Sequence, residues 1–98
     1  MPHPLETADV ATLTGPLRAL QLAAQGNWDG AHEAAQADED RDSAWVHAYL
    51  HRREGDQWNA EYWYRRAGQP VFRGSLDEEW RHIADALYPK ELKHSTQV

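Results

Sequence analysis

The apolar positions of this chain fall into five short stretches with helical spacing, separated by glycine, proline and acidic breaks. Leu13, Leu17, Leu20 and Ala24 recur at steps of three and four ahead of Gly26. They predict a first helix that begins near Pro16, because proline is tolerated in a first turn. Asn27 is placed to cap a second helix from about Trp28 to Ala37, with Trp28, Ala31 and Ala35 on its inner side. A third helix is expected from about Asp42 to Glu54, with Trp45, Tyr49 and Arg52 on one face and Gly55 as its stop. Asp56 can cap the fourth, about Gln57 to Ala67, which aligns Ala60, Tyr64 and Ala67 and carries Glu61 and Arg65 as a pair four residues apart. In the fifth, Ser75 and Glu78 make a capping box, and Leu76, Trp80, Ile83, Ala84 and Leu87 form one apolar stripe that Pro89 closes.

The expected fold is therefore all-α, two helical hairpins followed by a C-terminal helix. At 98 residues the chain is of single-domain size. Residues 1–12 read as a loosely held arm in which Leu5 and Val10 allow some packing, 13–89 as the folded domain and 90–98 as a polar, frayed tail. The two hairpins look related: Gly26 to Ala31 repeats as Gly55 to Ala60 at a period of 29 residues, and upstream Ala19 matches Ala48. Further on the correspondence loosens, with Ala35 where Tyr64 stands and Asp38 where Ala67 stands.

The run Gly55 to Ala67, GDQWNAEYWYRRA, resembles the turn and second helix of a tetratricopeptide repeat and is similar to the related Sel1-like repeat. Gly55, Ala60, Tyr64 and Ala67 carry the match, and AWVHAYLHRRE before it resembles the matching first helix, with His51 in place of an apolar residue. The likeness covers residues 43–67 well and 16–37 weakly. A longer string, with Trp28 to His32 upstream, also resembles a group of small bacterial proteins, a likeness that brings no activity with it. The repeat resemblance implies a non-catalytic interaction module that binds a protein or peptide, with the fifth helix as a terminal cap.

Composition narrows the function further. The net charge is −6, with eight acids against Arg18 and Arg41 in residues 1–51 and a balanced second half. An acidic chain argues against a nucleic-acid partner, which requires phosphates to be neutralised. The absence of cysteine excludes disulfides and thiol nucleophiles and fits a cytoplasmic location; no apolar run approaches the roughly 20 residues of a membrane span. Five tryptophans and four tyrosines exceed what so small a core obviously needs, so homodimerisation is also an expectation.

Two surfaces compete as the working site. Under the repeat resemblance, Trp45, Tyr49, Arg52 and Arg53, joined by Arg65 and Arg66, would face a ligand, and arginine with aromatic rings suits a carboxylate-bearing peptide or small anion. Trp45 and Tyr49 serve equally well as core cover beneath the fifth helix. Of Tyr62, Trp63 and Tyr64, successive on a helix, one ring should be exposed. The alternative is a histidine cluster: His47 and His51 are four residues apart and His32 approaches them if helices two and three pack, a set able to hold a divalent transition metal or interhelical hydrogen bonds. Under the first surface no cofactor is required. Acid–base pairing of His32 with Asp29 or His51 with Glu54 is conceivable, but there is no activated serine and no phosphate-cradling loop, so an enzyme is not expected.

Overall fold

The computed structural model describes residues 2–95, with side chains over residues 2–88. Two short 3-10 turns, Pro4–Thr7 and Val10–Thr12, lead into α1 (Gly15–Ala24), α2 (Trp28–Gln36), α3 (Arg41–Arg53), α4 (Gln57–Ala67) and α5 (Leu76–Ser95). The fold is all-α. Helices α1 and α2 form one hairpin and α3 and α4 the other, with α2 and α1 also packed on α3.

The hairpin turns have one design used twice. Gly26 and Gly55 sit at φ +80 and +79, a region that an L side chain enters only at a cost. The Gly26 amide donates to the Ala23 carbonyl and Gly55 to Arg52, both at 3.0 Å; Asn27 donates to Leu22 and Asp56 to His51, both at 2.9 Å. Asn27 and Asp56 then accept from the amides of Gly30 and Asn59, capping α2 and α4. Ala19, Ala31, Ala48 and Ala60 are all fully buried, the small positions where paired helices approach closely. One detail differs from expectation: Ala23 is buried where Ala24 was expected. Helix α3 starts at Arg41, one residue from the expected Asp42, and is capped by Asp40 through the Ser43 amide.

Helix α5 lies against α3 and α1, the first helices of both hairpins. Trp80, Ile83, Ala84 and Leu87 are buried there, and the Trp80 indole donates to the Leu20 carbonyl at 2.8 Å. The predicted capping box is present: Ser75 Oγ accepts from the Glu78 amide and Glu78 accepts from that of Ser75. Pro89 does not end the helix, which continues through residues 90–95; residues 96–98 of the expected tail lie outside the described residues. A proline removes the donor to the carbonyl four residues back, but that residue is Asp85, exposed to water that can satisfy it.

The N-terminal segment is fastened by polar contacts that hydrophobic spacing does not register. Leu5 is fully buried, and the side-chain amide of buried Gln21 donates to the carbonyls of Leu5 and Ala8. His3 is buried as well. Its Nδ1 accepts from the Leu5 amide at 3.0 Å, so Nε2 carries the proton and donates to Asp85 on α5 at 2.7 Å. The arm expected to be loosely held thus packs across α1 and α5, by way of Leu5, while Val10 stays exposed.

Candidate functional site

Three regions of the surface and near-surface hold the candidate residues. On α3, Trp45 and Tyr49 are buried rather than presented to a ligand, Trp45 edge-on to His82 of α5 with ring centroids 5.7 Å apart. Burial pushes the Tyr49 phenol up from its ordinary value. Arg52 donates through Nη1 to Glu79 at 2.7 Å and through Nη2 to the Gly74 carbonyl at 2.7 Å. The second oxygen of Glu79 accepts from the Tyr64 hydroxyl, whose pKa is raised by burial and then by that carboxylate. Glu79 is fully buried with both oxygens paired. The carboxylate that this arginine and these rings were expected to take from a peptide is supplied by the protein's own α5.

Arg53, Arg65 and Arg66 do not join that face. The guanidinium of Arg53 lies 4.3 Å from the centroid of the Trp28 ring. Beneath this pair runs a cleft of about 290 Å³ bounded by Glu6, Tyr49, Asp77, Trp80 and Arg81, mixed in charge. The six residues proposed from the sequence therefore divide among the α3–α5 interface, the Trp28 edge and α4.

The packing of α2 on α3 does assemble the three histidines. The His32 ring centroid lies 5.5 Å from that of His47 and 5.6 Å from that of His51, edge-on to each. His47 is stacked between His51 (4.9 Å, planes 12° apart) and Trp63 (3.9 Å, 19°). Burial, then the neighbouring His51 and His32, push its pKa down to about 4, so at neutral pH it is an uncharged stacking ring. His32 Nε2 donates to Glu54 at 2.6 Å, not to Asp29, and His51 Nδ1 is buried without a hydrogen bond, 3.6 Å from both Glu54 and Asp56. Parallel stacked rings point their in-plane nitrogens alongside one another rather than toward a shared point. Among the described residues no group of three or more histidine, aspartate or glutamate side chains has a metal-holding arrangement.

The outer face of α4 is different in kind. Trp58 is 83 % exposed and Tyr62 42 % exposed, while Tyr64 is buried and Trp63 half-buried. Beside them Arg66 donates to the Tyr62 hydroxyl at 3.2 Å and lies over the Trp63 ring at 5.4 Å. A shallow cavity of about 360 Å³ is lined by Trp58, Asn59, Glu61, Tyr62 and Arg65. Glu61 and Arg65, expected to pair along the helix, form no ion pair among the described residues. Sequence reasoning named both arginines and an exposed tyrosine-tryptophan ring but passed over Trp58. The signal was present: Trp58, Glu61, Tyr62, Arg65 and Arg66 recur at helical spacing opposite the buried stripe of Ala60, Tyr64 and Ala67.

Comparison with protein-family models, with curated proteins and with solved structures gives no significant match.

Proposed function

We propose that the protein is a non-catalytic helical module of tetratricopeptide-like design that binds a protein partner through the outer face of α4, with Trp58, Tyr62, Arg65 and Arg66 as the contact residues. The observation that carries this reading is the 83 % exposure of Trp58 beside Tyr62 on a helix whose main packing partner is α3, on its opposite side, with Tyr64 reaching α5. Tryptophan, tyrosine and arginine are the residue types that dominate binding energy at interfaces, and two large rings left in water are ordinarily covered by something. The α3 face is the weaker choice, since α5 already fills it. A cytoplasmic protein belongs to the same proposal; no helix among the described residues is long and apolar enough to cross a membrane.

The test is a photo-crosslinking residue placed at position 58 of the full chain in cells, beside the same residue at exposed Gln36 of α2. The expected result is a discrete adduct from position 58 that is lost with Arg65→Glu and Arg66→Glu. Equal, diffuse labelling from the two positions would contradict the reading.

A further inference from the structure

We infer that the occupant of the α4 face is a second copy of this chain, docked with its α4 antiparallel to the first across a two-fold axis near Tyr62. The inference rests on the reading that this face is the working surface and names what covers it. The argument is the order of side chains along the stripe. Trp58 stands at its N-terminal end, Tyr62 at its middle and Arg66 at its C-terminal end, so an antiparallel copy sets each Trp58 against the partner's Arg66 and Tyr62 against its own equivalent. An arginine over an indole is a favourable contact, of the kind Arg53 already makes with Trp28.

The charges fit the same arrangement. Glu61 precedes Arg65 by one turn, so reversal of the second helix brings each Glu61 toward the partner's Arg65, two residues, or about 3 Å, from alignment and within reach of both side chains. Neither charge is used in an ion pair among the described residues. A parallel arrangement would instead oppose Arg65 and Arg66 to their own equivalents, a like-charge contact that disfavours association. A patch that is complementary to itself under a two-fold rotation is what a closed dimer needs. No other described helix face presents two exposed large aromatic rings, since the remaining large exposed hydrophobic residue is Val10.

Sedimentation equilibrium of the full chain tests this, with circular dichroism to confirm that each variant remains folded. The wild type should associate to twice the chain mass. Glu61→Arg alone and Arg65→Glu alone should each weaken the dimer by about tenfold or more, because each opposes like charges twice across the axis. Mixed together, the two variants should recover association as a heterodimer, since each then meets its complement. A wild type that stays monomeric at every concentration overturns the second copy. If position 58 still crosslinks to a different protein, the interaction reading stands without it; if it crosslinks to nothing, both fail. A dimer indifferent to both substitutions places the contact on another face and also overturns the proposal.

Discussion

The two hairpins share a backbone and differ in what they show to solvent. Their turns repeat the same hydrogen bonds 29 residues apart, and their small buried positions coincide. On the outer face, however, Asp29, Glu33 and Gln36 of α2 correspond to Trp58, Tyr62 and Arg65 of α4, all six exposed. The fold makes no demand for aromatic rings at those positions, because the first hairpin has the same geometry without them. The inner face differs as well: Ala23 and Ala35 correspond to Arg52 and Tyr64, the two residues that hold the buried Glu79. The second hairpin thus both fastens α5 and carries the exposed aromatic face, whereas the first supplies packing and an acidic surface.

The inner difference should have the largest energetic consequence. Tyr64→Ala gives the second hairpin the residue of the first, removes a buried ring and leaves Glu79 short of a partner; we expect a loss of about 4 kcal/mol by urea denaturation. Arg52→Ala should cost about 3 kcal/mol, because it strands a carboxylate that is wholly buried. The reverse change, Ala23→Arg, places a guanidinium at a buried position with no carboxylate to meet and should destabilise the fold. If Arg52→Ala costs less than a surface substitution, Glu79 is not the anchor of α5.

The histidine stack, which also belongs to the second hairpin through His47, His51 and Trp63, gives a pH dependence of known sign. His47 takes up its proton near pH 4 in the folded chain and near 6.5 when unfolded, so the unfolded state binds more protons between these values. Stability from this residue is complete above about pH 6.5 and falls as pH drops toward 4, by roughly 3 kcal/mol at most. His47→Phe should flatten that part of the stability–pH curve measured by chemical denaturation. An unchanged slope would show that the ring is not held neutral by the stack.

The shared turns should behave alike. Gly26→Ala and Gly55→Ala meet no atom within 4 Å, so their cost comes from positive φ alone, about 1 kcal/mol each and equal within a few tenths. Unequal losses would break the equivalence of the two hairpins. Smallest of all should be Trp58→Ala, within about 0.5 kcal/mol of wild type when both are measured dilute enough to be monomeric, as expected for a side chain 83 % exposed in the monomer.

What the sequence made legible was local. Glycines at helix stops, aspartate, asparagine and serine at caps, and alanines at close approaches act within a few residues, and Gly26, Gly55, Asn27, Asp56, Ser75 and Glu78 all occupy the places their chemistry predicts. Contacts between distant polar residues were not legible, because a glutamate or histidine taken alone reads as surface. Glu79 is the instructive case. It lies three residues after Leu76 and four before Ile83, on the apolar stripe itself, and that register was the available sign that it points inward. His3 and Gln21 offered no such sign: Gln21 fastens the N-terminal segment to α1, and His3 and Glu79 tie α5 to that segment and to the second hairpin. On the site, the histidines came together as helix pairing implied, while Trp45, Tyr49 and Arg52 proved to be committed to α5.

The most direct measurement replaces the outer face of the second hairpin with that of the first. Trp58→Asp with Tyr62→Glu gives α4 the residues that α2 carries at the same positions, and sedimentation velocity compares the variant with the wild type at matched concentration. The account predicts an associating wild type whose thermal midpoint rises with concentration, and a monomeric variant of unchanged helicity whose midpoint does not. Identical sedimentation of the two would contradict it, and would mean that the aromatic face of α4 is surface and nothing more.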